Sequence, residues 1–140
     1  SKSYINSRET VEQLLEDEDN WGAIIDVHRD SIPQQNSPWV VDIKGKKAAQ
    51  ILIIIGSDQR KTNSKWEKNL QFAEKISQEA QQRYPGLIRG VRVKPGTYNQ
   101  DLYSPTILLE IGNENNSLEQ AKYGVSLFAE ILALVLLEGS

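Results

Sequence analysis

The sequence predicts an α/β protein, a three-layer α/β/α sandwich with a largely parallel sheet and a β-hairpin. Three observations predict it. The runs at residues 23–28, 51–55 and 106–111 are short, β-branched and almost continuously apolar. That is the pattern of strands buried on both faces, not of strands with one face in water. Two apolar runs flank Lys44-Gly45-Lys46-Lys47, which marks a hairpin with Gly45 in the turn. The order helix, strand, hairpin, helix, strand, strand, helix then suits helices laid over a parallel sheet.

Each element has a local cause. Ser7 caps a short amphipathic helix that carries Val11, Leu14 and Leu15 and ends before the acidic run Glu16-Asp17-Glu18-Asp19, a solvated loop. Residues 23–28 form a buried strand, and residues 31–38, with Pro33 and Pro38, form a loop. Residues 39–43 and 49–55 are the arms of the hairpin, the second of them interior. Ser64 caps a long helix whose inward stripe is Trp66, Leu70, Ala73, Ile76, Ala80 and Tyr84, and Pro85-Gly86 stops it. Residues 87–93 are a short strand, residues 95–105 an irregular loop, and residues 106–111 a buried strand broken by one carboxylate. Ser117 and Gln120 form a capping box. It opens a last helix with Leu118, Ala121, Val125, Phe128, Ile131, Leu132 and Val135 inward.

Composition narrows the function. The 140 residues suit one domain, and 39% apolar with 25% charged residues is an ordinary globular balance. Sixteen basic against 19 acidic residues leave a net charge of −3, without the domain-wide basic footprint of a nucleic-acid binder. With no Cys, disulfides, thiolate zinc sites and thiol nucleophiles are excluded. The single His28 rules out a three-His metal site. No secretory signal opens the chain, and no uninterrupted apolar run nears the roughly 20 residues of a membrane span.

Ligands of open α/β sheets sit beyond the carboxyl ends of strands. His28 closes its strand, with Arg29 and Asp30 next, and Glu110 is penultimate in its own. A carboxylate inside Ile107-Leu108-Leu109-Glu110-Ile111 is costly to bury unless paired or catalytic. Read alone, Glu110 fits a salt bridge and His28 a satisfied core histidine. At one sheet edge, the two point to metal-assisted hydrolysis, with a water activated by the ion and deprotonated by a carboxylate. Asp26 shares the face of His28 and reads as a ligand or as an orienter of the imidazole. Arg29 suits an anionic substrate group or an ion pair. Tyr98-Asn99-Gln100 offers neutral donors and acceptors that suit glycan and peptide amides, or hold their own loop.

The motifs Ser7-Arg8-Glu9-Thr10-Val11 and Ile24-Ile25-Asp26-Val27-His28-Arg29-Asp30 resemble the stage II sporulation protein P family. So do Lys44-Gly45-Lys46, Ile53-Ile54-Ile55-Gly56-Ser57-Asp58 and Asn63-Ser64-Lys65-Trp66-Glu67-Lys68-Asn69-Leu70. Tyr84-Pro85-Gly86-Leu87, Tyr98-Asn99-Gln100-Asp101-Leu102 and Leu108-Leu109-Glu110-Ile111-Gly112-Asn113 complete an ordered series that covers nearly the whole chain.

The resemblance implies a zinc-dependent N-acetylmuramoyl-L-alanine amidase of α/β/α fold that cleaves peptidoglycan between glycan and stem peptide, with endopeptidase activity as well. It implies zinc as cofactor, His28 as a metal ligand, and Glu110 as the catalytic carboxylate. The residues' own chemistry, not the resemblance, suits Arg29, Asn99 and Gln100 to substrate binding and Asp26 and Asp30 to orienting the site. The resemblance further implies a place outside the cytoplasmic membrane behind an anchor not in this chain, and stage II sporulation protein D, a transglycosylase, as partner. The family's upstream His-Thr-His strand, which carries further zinc ligands, has no match here. The chain therefore reads as an N-terminally truncated catalytic domain, inactive alone and prone to self-association where the strand is absent. Two alternatives stand beside this reading. One is a non-catalytic wall- or partner-binding module that keeps the fold. The other is a metal-free acid/base hydrolase using Glu110 with Asp26 or Asp30.

Overall fold

The computed structural model describes residues 22–30, 37–57, 66–96 and 105–138, with residues 9, 12 and 13. Six strands and two long helices lie in these segments: β1 (Ile24–Asp30), β2 (Val40–Ile43), β3 (Lys46–Ala49), β4 (Ile51–Gly56), α1 (Trp66–Arg83), β5 (Ile88–Lys94), β6 (Thr106–Asn113) and α2 (Leu118–Glu138). Glu9, Glu12 and Gln13 are helical. The expected caps at Ser7 and Ser64, the acidic run at residues 16–19 and the loops at 31–36 and 97–104 lie outside the described residues.

The main sheet has the order β1-β6-β4-β5. β1 runs parallel to β6 and β4 parallel to β5, while β4 and β6 are antiparallel. The fold is thus α/β on a mixed, mostly parallel sheet, with a separate antiparallel hairpin of β2 and β3. Period-two alternation splits the sheet's apolar residues between its faces. Ile51, Ile53, Ile55, Ile107, Leu109 and Ile111 form one continuous core with Ala73, Ile76 and Ala80 of α1 and Leu127, Phe128, Ile131 and Val135 of α2. Leu52, Ile54 and Leu108, on the opposite face, gather around Trp39.

The hairpin turns through Lys44 and Gly45, both at positive φ, 55° and 80°. That pair matches the right-handed twist of the flanking strands. Its second arm is Lys46–Ala49, not residues 49–55. At Gln50 the chain leaves the hairpin and Ile51–Gly56 joins the main sheet. The apolar run alone hid that break. It is visible only in the backbone bonds of Gln50 and its neighbours: the Gln50 N–H donates to the Trp39 carbonyl, and the Gln50 carbonyl accepts from Gly112.

Two further expectations change. The first strand is not covered on both faces: β1 is the outer strand of the described sheet and Val27 is 55% exposed. An apolar run measures hydrophobicity, not position in the sheet. In α2, Leu118 and Val125 face outward, and Gly124 and Leu127 face the core instead. The helix is apolar nearly all round, so its inward phase is set by packing. The deciding contact is Gly124, where a Cβ would stand 2.5 Å from the Ala49 carbonyl oxygen. By length and composition α2 is also the one described helix able to cross a membrane, although no single apolar run within it is long enough. Here it is a core helix of the sheet.

The helix ends follow local rules. The Gln120 N–H donates to the Ser117 hydroxyl, and the Ser117 N–H donates to the Gln120 side-chain oxygen, each at 3.1 Å. This is the reciprocal box that the spacing predicts. α1 stops at Arg83, and Gly86 at φ 90° carries the chain into β5.

Candidate active site

His28 on β1 and Glu110 on β6 are register partners in a parallel ladder. Partners in a ladder project to the same face, so both side chains stand on the Trp39 face of the sheet. Glu110 is also paired across the antiparallel ladder with Leu52, and Leu52 with Gly90 of β5. One row, His28, Glu110, Leu52, Gly90, therefore crosses all four strands. At about 4.8 Å per strand, it spans roughly 14 Å.

Asp26 precedes His28 by two residues, so it shares that face, and its Oδ1 is 3.0 Å from His28 Nε2. The imidazole is about one-third exposed, but its Nε2 is buried. Glu110 is half-buried in a strand otherwise buried throughout. Arg29 is exposed and alternates away from His28 on β1. Asp30 lies on β1 opposite Asn113, beyond a register shift after His28. Its side chain, with Asn99 and Gln100, lies outside the described residues.

The turn after Glu110 is built from asparagines. Gly112 takes φ 62°, and a Cβ there would stand 2.3 Å from the Asn116 side-chain oxygen. That oxygen accepts from the backbone N–H groups of Asn113, at 2.8 Å, and Trp39, at 3.2 Å. The Asn116 amide nitrogen donates to the Trp39 carbonyl at 3.0 Å and to Gln120 at 3.1 Å. Asn113 donates to the Ser37 carbonyl at 2.9 Å and accepts from the Asn115 N–H at 2.8 Å. The start of β6 is held the same way: the Thr106 N–H donates at 2.9 Å to Asn69, fully buried in α1. Both ends of the Glu110 strand are thereby tied to other elements. Sequence reasoning missed Asn69, Asn113 and Asn116. For Asn113 and Asn116 the available signal was an asparagine cluster at the end of a carboxylate-bearing strand, directly after its glycine; Asn69, within α1, carried no such signal.

Among the described residues, no group of three or more His, Cys, Asp or Glu side chains is placed to hold a metal ion. The arrangement offers one imidazole flanked by carboxylates on a shared face. That is enough for proton transfer, and it makes up part of a metal donor set.

The family model for Stage II sporulation protein P (SpoIIP) matches residues 1–133. A curated Stage II sporulation protein P from Bacillus subtilis is 33% identical over 138 residues, which is 95% of this chain and 33% of that protein. The chain thus spans about a third of that relative's length. Among solved structures, the CwlD amidase of Clostridioides difficile, in complex with the GerS lipoprotein, superposes with a TM-score of 0.59 at 14% identity, over 97% of this chain and 62% of that one. The N-acetylmuramyl-L-alanine amidase Ami1 of Mycobacterium smegmatis gives 0.57 at 16% identity, over 88% and 57%. AmiC2 of Nostoc punctiforme, an N-acetylmuramoyl-L-alanine amidase, gives 0.52 at 14% identity, over 90% and 61%. At these identities, the likeness is one of fold.

Proposed function

Because the chain belongs to the stage II sporulation protein P family, we propose that it forms part of the catalytic domain of a peptidoglycan hydrolase, one that cleaves the amide between N-acetylmuramic acid and the L-alanine of the stem peptide. The pairing of His28 with Glu110 on one sheet face carries this reading. The amidase fold of the superposed structures supports it.

Zinc is the proposed cofactor. His28 suits one ligand position, and the remaining ligands come from outside the described residues, which hold no complete donor set. The chemistry such an ion supplies is a water of lowered pKa and a polarised scissile carbonyl. The chain's own residues do the rest. Glu110, one strand from His28, takes the proton of the attacking water and delivers it to the leaving amide nitrogen. Asp26, at 3.0 Å from Nε2, orients the imidazole, and Asp30 assists on the same strand. Asn99 and Gln100 bind substrate, whereas Arg29, exposed on the opposite face of β1, stands away from the face that His28 and Glu110 share.

The same reading places the protein outside the cytoplasmic membrane behind an anchor, with stage II sporulation protein D as partner. Self-association through the β1 edge belongs with it, supported by the outer position of β1 and the exposure of Val27. Purified full-length protein tests the core of the proposal on peptidoglycan. Glu110→Ala should stop release of stem peptides with zinc still bound, whereas His28→Ala should lose the zinc. Full turnover by Glu110→Ala sinks the assignment.

A further inference from the structure

The far end of the Glu110 row carries a feature that the proposed chemistry does not use. Ile51 pairs with Ile88 and Leu52 with Gly90, so Arg89 is an extra residue at a register shift in β5. Such irregularities re-aim side chains. The Arg89 guanidinium lies over the Trp39 ring, 4.1 Å from its centroid. Trp39 is 6% exposed, rests on Leu52, Ile54 and Leu108, and has both backbone groups bound by Asn116. Arg89 is thus an exposed cation on a fixed platform, and the platform is fastened to the turn that follows Glu110.

The surroundings suit a ligand. A Cβ on Gly90 would meet nothing within 4 Å, so the row opens into free space beside Arg89. Arg92 pairs with Ile54 and shares that face, adding a second exposed cation. In a chain of net charge −3, the face is polarised: Asp26 and Glu110 stand toward β1 and β6, the arginines stand on β5, and an apolar floor lies between them.

We propose that Arg89, laid on Trp39, is the carboxylate-binding subsite for the acidic stem peptide of the substrate. This rests on the hydrolase reading above. Glu110 and Gly90 are two strands apart, about 10 Å. An extended peptide covers that distance in about three residues. The subsite therefore selects a carboxylate within about three residues of the scissile amide. A planar guanidinium matches a carboxylate with two parallel N–H···O bonds, and stacking on an indole orients its fork beforehand.

The test uses full-length protein and two synthetic muramyl peptides that differ only in a free carboxylate or a carboxamide on the second residue of the stem. Wild type should show a KM about tenfold lower for the acid, as expected for a charge-assisted pair. Arg89→Gln should erase that ratio, mainly by raising the KM for the acid to that of the carboxamide, and Arg89→Lys should keep part of it. Melting temperatures matching wild type show that the variants fold, as expected for an exposed side chain. An unchanged acid-to-amide ratio in Arg89→Gln, or no preference in wild type, overturns the subsite. If neither peptide is cleaved, the hydrolase reading falls, and the ratio is read from Kd by titration calorimetry. A binding preference abolished by Arg89→Gln then upholds the subsite, and its absence overturns it.

Discussion

His28 and Glu110 stand one interstrand gap apart, as partners in the parallel ladder of β1 and β6. Their separation is set by backbone hydrogen bonds, so it does not depend on either side chain. Glu110→Gln, which is isosteric, should therefore leave the fold and the placement of His28 intact. Turnover of peptidoglycan should fall by about 10²–10⁴, the usual contribution of a positioned general base. Dye release from labelled peptidoglycan measures it. A loss below tenfold would remove Glu110 from proton transfer.

Zinc content tells a ligand from a base. Residues 1–140 alone should hold zinc weakly, because a catalytic site draws on typically three protein ligands and the described residues group no three candidates. Elemental analysis after dialysis checks this. Stoichiometric zinc would mean that carboxylates such as Asp26 complete the site.

Asn116→Ala removes the acceptor for the Trp39 and Asn113 N–H groups and the donor to the Trp39 carbonyl. The two N–H groups lose this acceptor at about 1–3 kcal/mol each, while the Trp39 carbonyl keeps the Gln50 N–H, so the loss should reach about 2–4 kcal/mol after partial relaxation. The urea midpoint reports it. A stability within experimental error of wild type would show that water replaces the amide.

Gly112→Ala forces a side chain into a left-handed position and against the Asn116 amide. The backbone alone costs about 1–2 kcal/mol. Because Gly112 follows Glu110 by two residues, hydrolysis should fall together with stability. Activity at the wild-type level in a destabilised variant would separate the turn from the catalytic carboxylate.

Tyr84 donates a hydrogen bond to Glu130, and this bond, with burial and the charge of Glu130, raises the phenol's pKa. The folded state keeps the proton to higher pH than the unfolded chain. The resulting stability is full below the unfolded pKa of about 10 and is lost as pH rises through the folded value. Tyr84→Phe should cost about 1 kcal/mol at neutral pH and flatten the alkaline decline. Denaturation midpoints from pH 8 to about 11.5 compare the two. Parallel curves would remove Tyr84 as the source.

The features legible in the sequence are those whose partners lie within a few residues. The Ser117–Gln120 box spans one helical turn, and the hairpin turn needs only positive φ at Lys44 and Gly45. The uniformly apolar Ile51–Ile55 run marks an interior strand because no polar side chain needs an outlet. His28 and Glu110 stood out because an imidazole and a carboxylate are costly in apolar strands. Tertiary structure decided the rest. A one-residue change of register would move Glu110 away from His28, and only the ladder selects the register. The outer place of β1 and the inward phase of α2 likewise depend on neighbours that hydrophobicity does not specify. The Asn116–Trp39 clamp joins residues 77 positions apart, and the Arg89–Trp39 stack joins separate elements. Such contacts leave no periodicity in the chain, because they exist only once distant backbone segments have met.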